Sequence, residues 1–180
     1  MRLFPLLLAA LFMAASAASS AHESTRPETP GSPTSSSRLE LILPAKAPAQ
    51  IDASMLSGLE RRRVTAAGHD QPSSVWEGVA LVDVLRQAGV PLDKQLRGRE
   101  LAKAVRVTAA DGYQVVFSLA ELDAAFSGTV VLLVDTQDGH ALGADGPFRL
   151  IVSNDKRPAR WVRNVVRIEL IDIATLASAH

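Results

Sequence analysis

Cysteine is absent from this chain of 180 residues. Its absence excludes disulfide bonds, thiolate metal sites and thiol nucleophiles. Aromatic residues are scarce, with two Trp, one Tyr and five Phe, so the core must consist mostly of Val, Leu, Ile and Ala. There is no surplus of charge either, because 19 Lys and Arg residues balance 19 Asp and Glu residues. Without a basic surplus, nucleic acid is not an expected partner.

The first residues of the chain are typical of a signal peptide. Met1 and Arg2 precede an apolar run over residues 3–15, and small residues follow as far as Ala21. The run is shorter than the ~20 apolar residues that cross a bilayer. We therefore predict a periplasmic or secreted protein, with cleavage after Ala17 or Ala21 and no membrane span in the mature chain.

The next residues predict a flexible linker followed by one folded domain. Residues 22–38 are rich in Pro, Ser and Thr and contain no aliphatic side chain, so they cannot bury enough apolar surface to offset the entropy of ordering. Residues 39–173 carry short strand and helix signals, and residues 174–180 form a tail without either. A domain of ordinary size holds ~100–200 residues, which leaves room for one here.

Several short patterns indicate the elements of this domain. Apolar residues recur at helical spacing over residues 80–88 and Gly89 follows them, which predicts a helix and its end. Ser118 and Glu121 form a capping box that begins a second, short helix, predicted to end at Phe126. Alternating or continuous apolar runs predict strands at residues 39–43, 63–66, 103–108, 113–117, 129–135, 148–152 and 166–170. Strands interleaved with short helices predict an α+β domain with a mixed β-sheet.

Five short motifs between Arg62 and Asp172 carry a resemblance to a known family. They are Trp76-Glu77-Gly78-Val79 with Ala88-Gly89, Asp111-Gly112-Tyr113 with Ser118-Leu119, Asp138-Gly139 with Leu142, Gly146-Pro147 with Arg149-Leu150, and Arg160-Trp161-Val162. In this order they resemble the oxidoreductase molybdopterin-binding domain, the fold shared by sulfite oxidases, assimilatory nitrate reductases and periplasmic methionine-sulfoxide reductases. The resemblance implies a compact α+β domain with a mixed sheet.

The resemblance also implies where a cofactor would meet the chain. Family members hold molybdenum through a pterin dithiolene and one cysteine thiolate, and Ala66 occupies the position of that cysteine, so this metal ligand is lost. His69 stands where members place a polar contact to the pterin, although a lone His in a loop is usually solvated. Arg149 and Arg160 stand where basic residues meet the pterin phosphate, and Tyr113 where a pocket hydroxyl is expected.

A basic segment late in the chain is the most suggestive cluster. It contains Lys156, Arg157, Arg160 and Trp161. Guanidinium groups bind phosphate and carboxylate in a bidentate manner, and an indole beside them offers a stacking surface. The simpler interpretation is a solvated basic loop in which Trp161 anchors the last strand in the core.

Other candidate residues also have two interpretations. Arg149 alternates with apolar residues of a strand, so it either faces solvent or pairs with an acid at a cleft, and Asp111 is the expected partner. Tyr113 is either a pocket residue or a strand aromatic next to a turn. The run Arg61–Arg63 is expected on a solvated strand edge, where charge discourages aggregation.

Together these features predict an exported, non-catalytic domain that binds a small anionic ligand or a periplasmic protein partner and holds no cofactor. The loss of the thiolate ligand motivates this hypothesis. The alternative is a molybdopterin-dependent oxidoreductase with an atypical metal site, in which water or His69 replaces the cysteine and the pterin binds through Arg149, Lys156 and Arg160. Motifs for serine hydrolysis, nucleotide binding and zinc hydrolysis are absent from the sequence, so we predict no catalytic residue and no metal ligand.

Overall fold

A computed structural model describes residues 38–68 and 71–176 of the chain. The predicted signal peptide, nearly all of the predicted linker and His69 lie outside these residues. In chain order the strands are β1 (Arg38–Ile42), β2 (Ala49–Asp52), β3 (Arg61–Ala67), β4 (Ser73–Ala80), β5 (Lys103–Ala109), β6 (Gln114–Ser118), β7 (Val131–Gln137), β8 (His140–Ala141), β9 (Arg149–Val152) and β10 (Val165–Asp172). The α-helices are α1 (Ala53–Leu56), α2 (Leu81–Gln87), α3 (Leu119–Leu122) and α4 (Ile173–Leu176). Four 3₁₀ turns complete the described part: Asp93–Gln95, Gly98–Ala102, Gly143–Asp145 and Pro158–Arg160.

The first sheet has the strand order β2-β1-β10-β5-β6. Strand β1 runs parallel to β10, with Leu41 opposite Ile168, and the other neighbours are antiparallel. Alternation along the strands buries Leu41, Val107 and Ile168 on one face. The other face carries cross-strand ion pairs such as Arg167 with Glu40, whose Nε and Oε2 atoms are 2.7 Å apart. This sheet is therefore mixed and covered on one face, which confirms the predicted α+β fold.

The second sheet has the order β3-β4-β7-β8, and β9 also pairs with β7. Residues Val131–Val134 of β7 are all buried, as expected of a strand that is covered on both faces. Helix α2 contacts both β4 and β7. Buried side chains of both sheets and of α2 form one continuous hydrophobic core, and this core holds the ends of β4, β7 and β9 in place.

Strand β4 approaches β7 closely at Gly78. The pairing register shifts between Glu77 and Gly78. A Cβ atom at Gly78 would lie 2.1 Å from the backbone oxygen of Leu133 and 2.4 Å from the Cα of Val134. Only glycine fits against a backbone at this distance, so the glycine of the Trp76-Glu77-Gly78 motif has a packing role.

The predicted helices are present, but one is shorter than expected. Helix α2 coincides with the prediction and is followed by Gly89 at φ +82°. Helix α3 begins as predicted, with the Glu121 N–H donating to Ser118 Oγ at 3.1 Å, but it ends at Leu122 rather than at Phe126. The reason is Asp123, whose buried carboxylate accepts the backbone N–H of Ala125 at 2.9 Å and so forms a turn.

Three strands, β2, β4 and β8, do not follow from the sequence patterns. Strand β4 contains a bulge and a glycine, which interrupt its alternation, and β2 and β8 are too short to show a period. Strand β3 lies at a sheet edge with its three arginines partly or largely exposed, as expected. In the part of the chain that the structure describes, no helix is long and apolar enough to span a bilayer.

Candidate anion-binding cleft

The ends of β4, β7 and β9 form one wall of a cleft of about 530 Å³. Ser74 and Trp76 belong to β4, Gln137 ends β7 and Arg149 begins β9. Residues that follow β3 and the segment between Pro158 and Arg163 also line the cleft. The second sheet therefore positions most of the side chains that face this cleft.

Antiparallel pairing brings two arginines to the same side of the cleft. Leu150 and Val162 exchange backbone hydrogen bonds of 2.7 and 3.1 Å, so their neighbours Arg149 and Arg163 lie opposite each other across the pair. The Arg149 side chain is mostly buried, with 16% of its surface exposed, whereas that of Arg163 is 64% exposed. The cleft thus has one buried cation and one at its mouth.

The guanidinium of Arg149 lies against two indole rings. Its Cζ atom is 4.7 Å from the ring centre of Trp76 and 5.7 Å from that of Trp161, and the two rings meet edge to face. The indole N–H of Trp76 donates to the backbone oxygen of Ala66 at 3.1 Å, and that of Trp161 donates to Val152 at 3.0 Å. Both rings are therefore fixed, and cation–π attraction fixes the guanidinium between them.

Asp145 neutralises part of this positive charge. Its Oδ2 atom is 2.8 Å from Arg149 Nη1, and its Oδ1 atom is 3.6 Å from Arg163 Nη1. The prediction that Asp111 pairs with Arg149 is wrong. Asp111 lies in the turn between β5 and β6, where its carboxylate accepts the backbone N–H of Tyr113 at 2.9 Å. Asp145 is the partner because the short turn before β9 carries it to within reach of a residue only four positions further on.

Arg149 retains hydrogen-bonding capacity that the fold does not use. Its Nε atom is buried and has no hydrogen-bond partner among the described residues. Burial lowers the pKa of Arg149 below its ordinary value; the Asp145 carboxylate opposes this shift and Arg163 adds to it. The guanidinium nevertheless stays protonated at neutral pH. A buried cation with an unmet donor favours an anion that can approach it.

Arg160, another candidate, is used within the fold. Its guanidinium binds Asp155 at 2.6 and 2.8 Å and Glu121 at 2.7 Å, and its Cζ atom lies 4.8 Å from the Phe117 ring centre. The hydrogen bond with Asp155 raises the pKa of Arg160 above its ordinary value, burial opposes this, and the hydrogen bond with Glu121 adds to it. Arg160 therefore joins the loop before Trp161 to helix α3 and does not line the cleft.

The remaining candidates of the basic segment do not line the cleft, whereas the position of the lost metal ligand lies beside it. Lys156 and Arg157 are exposed and make no ion pair with any residue in the ranges 38–68 and 71–176. Ala66 lies on β3 opposite Ser74, and its backbone oxygen accepts the indole N–H of Trp76. The position attributed to the missing thiolate is therefore next to the cleft wall.

Tyr113 and Asp111 line a second, smaller hollow of about 280 Å³. The Tyr113 hydroxyl donates to the backbone oxygen of Ala159, and about half of the side chain is exposed. This hollow shares Trp161 and Arg163 with the larger cleft. Of the sequence candidates, Arg149 and Trp161 line the cleft, Asp111 and Tyr113 line the smaller hollow and Arg160 belongs to an ion-pair cluster, whereas Lys156 and Arg157 lie outside all three.

Sequence reasoning did not identify Trp76, Asp145 or Arg163 as site residues. Trp76 stands in the first motif of the resemblance. Arg163 stands two residues after Trp161, so strand alternation could have placed Trp161 and Arg163 on the same side of the chain. For Asp145 the sequence contains no such signal. Among residues 38–68 and 71–176, no three His, Cys, Asp or Glu side chains cluster in a way that could hold a metal ion.

Comparisons with known proteins show the family and the fold of this chain. The family model "Oxidoreductase molybdopterin binding domain" matches residues 56–177. Among solved structures, the chain is similar to the sulfane dehydrogenase SoxCD from Paracoccus pantotrophus, with a TM-score of 0.57 and 20% identity over 75% of this chain. The match covers 38% of the SoxCD chain, so this protein spans well under half of that length and shares its fold. No curated protein matches the sequence.

Proposed function

Because the chain belongs to the oxidoreductase molybdopterin-binding domain family, we propose that it is an exported, non-catalytic domain whose cleft binds a small phosphate-bearing anion. The observation that carries this proposal is Arg149, a mostly buried cation between two indole rings with an unpartnered Nε donor. Arg163 at the mouth adds a second positive charge. Two guanidinium groups on one side of a cleft suit the several oxygens of a phosphate.

The residues of the cleft fit one part of the family's cofactor and not the other. Arg149 and Arg163 would hold the phosphate of a pterin, and the faces of Trp76 and Trp161 would border its ring system. The metal has no matching donor: a methyl group stands at Ala66, and the whole chain lacks cysteine. Since thiolate ligation is the protein's contribution to molybdenum binding in this family, we derive no redox step for this chain.

In this proposal the chain's own groups bind and orient the anion. Arg149 supplies a hydrogen-bond donor at the base of the cleft, where burial strengthens the attraction between opposite charges. The indoles hold the guanidinium in one orientation through cation–π contact. Ser74 and Gln137, whose side chains are hydrogen bonded to each other at 3.0 Å, provide neutral polar groups on the same wall.

A fluorescence titration with inorganic pyrophosphate tests the binding proposal. The chain has two tryptophans, and both line the cleft, so a change in their emission reports on this site. We expect a saturable change in tryptophan emission for the wild type. Arg149→Lys, which loses the planar fork, should bind pyrophosphate at least tenfold more weakly, and Arg149→Met should show no binding. Arg167→Met is the matched control, because it removes the same charge from an ion pair on the outer face of the first sheet. Equal binding by Arg149→Met and the wild type would contradict the proposal.

The same preparation tests export and the absence of metal chemistry. The full chain is expressed in a Gram-negative host, and the protein is recovered from the periplasmic fraction. We expect its N-terminus to follow Ala17 or Ala21, and elemental analysis to find far less than one molybdenum per chain. Recovery of an uncleaved chain from the cytoplasm alone would refute export, and about one molybdenum per chain would favour the alternative, an oxidoreductase with a non-cysteine metal site.

A further inference from the structure

The Asp145 carboxylate occupies the space that an anionic ligand would take in the cleft. It lines the cleft and lies 2.8 Å from the buried Arg149 and 3.6 Å from Arg163, at the mouth. It is the one acidic side chain among the described residues that line this cleft. An external anion that binds both arginines must therefore compete with Asp145.

The backbone of Asp145 is anchored, so its side chain is the part that can move. Its N–H donates to Leu142 at 3.2 Å, and its backbone oxygen accepts the N–H of Asn164 at 2.9 Å. The Asn164 side chain also donates to the backbone oxygen of Ala144 at 2.9 Å. A third of the Asp145 side chain is exposed, so rotation towards solvent rehydrates the carboxylate instead of burying it elsewhere.

The contact between Asp145 and Arg149 leaves part of the guanidinium unused. The carboxylate bonds Nη1 only, and Nε remains without a partner among the described residues. A phosphate group has more oxygens and more negative charge than a carboxylate, so it can bridge Nη1 of Arg149 and Nη1 of Arg163, the two atoms that Asp145 contacts, more strongly than Asp145 does. A monovalent anion that displaces Asp145 replaces one negative charge by another, so the attraction to the two arginines increases little.

From these contacts we propose that Asp145 is an internal counter-ion that an external anion must displace, and that it thereby makes the cleft selective for polyvalent anions. Asp145 is in these terms a specificity-determining residue, which rests on the proposed function of the cleft. It lowers the affinity of the cleft for every anion. The effect is largest for monovalent anions, because their attraction to the two arginines is the weakest.

The test compares Asp145→Asn with the wild type in tryptophan-fluorescence titrations, using sodium pyrophosphate and sodium nitrate at constant ionic strength. We expect Asp145→Asn to bind pyrophosphate at least fivefold more tightly, the lower end of common coupling strengths. We also expect nitrate to leave the wild-type fluorescence unchanged and to bind the variant measurably. Glu40→Gln is the matched control, because it removes the same charge from another arginine pair outside the cleft, and it should behave as the wild type.

The outcomes separate this proposal from the function on which it rests. If the wild type binds pyrophosphate through Arg149 but Asp145→Asn binds it equally or less tightly, Asp145 only supports Arg149 and the proposal is overturned. If neither protein binds pyrophosphate, the proposed anion-binding function itself fails. Asp145→Ser, which also lacks the charge, replaces Asp145→Asn if circular dichroism shows that the latter is unfolded, and the same two criteria then apply.

Discussion

At the scale of the residue, Arg149 is held by groups from three other segments of the chain. Trp76 comes from β4, Trp161 from the turn after the 3₁₀ segment, and Asp145 from the turn before β9. Two of these groups contact it with the face of a ring, and the third forms a charged hydrogen bond. The cleft therefore depends on long-range packing more than on any local motif.

Gly78 allows the first residue-scale prediction. Gly78→Ala should lower the free energy of unfolding by about 3 kcal/mol, because its Cβ would overlap the β7 backbone and force the strands apart. Urea denaturation measures the loss. Gly58→Ala is the control, since nothing lies within 4 Å of a Cβ at Gly58, and it should leave the stability within about 0.5 kcal/mol. Equal stabilities of the two variants would show that β4 can shift without cost.

Single residues also show how far the sequence predicts the site. The alternation around Arg149 correctly limits it to solvent or to a cleft with an acid. Trp161 is buried, as in the simpler interpretation, and it contacts Arg149, while its role as a stacking surface for a ligand stays a prediction. Arg160 looks equivalent to Arg149 in sequence, but it is bound by Asp155 and Glu121. Which arginine keeps an unmet donor depends on partners that only the tertiary fold brings close.

At the scale of the element, edge strand β3 is tied to its neighbours by charge. The three arginines of the run Arg61–Arg63 bind Asp135 on β7, Asp83 on α2 and Glu77 on β4, respectively. Charged side chains on an edge strand also discourage pairing with another chain. The run therefore protects the edge and, at the same time, links it to two strands of the second sheet and to helix α2.

The pair Arg61–Asp135 predicts a pH-dependent stability. Burial raises the pKa of Asp135, but hydrogen bonds from Arg61 and Thr136 outweigh this, and the pKa lies below its ordinary value. A carboxyl with a depressed pKa stabilises the fold above its unfolded pKa, about 3.9, and this stabilisation is lost as the pH falls through the folded value. Arg61→Met should therefore lower the free energy of unfolding by up to about 1 kcal/mol at pH 7. The difference in this free energy between the variant and the wild type should narrow below pH ~4.

Denaturant titrations of the wild type and Arg61→Met between pH 3 and 7 measure this difference. Arg157→Met is the control, because Arg157 is exposed and has no ion pair with the described residues; its stability should follow the wild type at every pH. A constant difference between Arg61→Met and the wild type over this range would mean that lost packing, and not the charge of Asp135, explains the effect.

Elements with a strong local signal are the ones that the sequence predicts. Helix α2 has apolar residues at regular spacing and a glycine after its end, and it lies where these signals place it. Strand β4 has no such signal, because a bulge at Gly78 breaks its alternation. Helix α3 has a correct start but an incorrect end, because Asp123 also accepts the N–H of Asp93, 30 residues away, at 2.6 Å.

At the scale of the whole molecule, β1 completes the first sheet. It lies between β2 and β10, and its residues Leu39 and Leu41 are almost fully buried. Without β1, strand β2 has no neighbour and β10 loses one of its two partners. Strand β1 is therefore needed to complete the first sheet, and the domain boundary at residue 39 stays a prediction.

Three chains that begin at His22, Ser37 and Leu43 test this boundary. The first two should unfold at the same urea concentration, because the composition of residues 22–38 predicts a linker that adds no stability. The chain that begins at Leu43 lacks β1 and should show no cooperative unfolding transition. A higher midpoint for the chain from His22 than for that from Ser37 would show that the predicted linker packs on the domain.

The parallel pairing of β1 with β10 also affects the order of events during synthesis. Glu40 and Arg167, which form an ion pair between these strands, are 127 residues apart. The ribosome releases β1 before every other described strand, and its partner β10 after them all. Contacts between such distant segments form slowly, since closing a long loop costs entropy before any contact is gained. The nascent chain consequently cannot complete its first sheet until its last strand emerges from the ribosome.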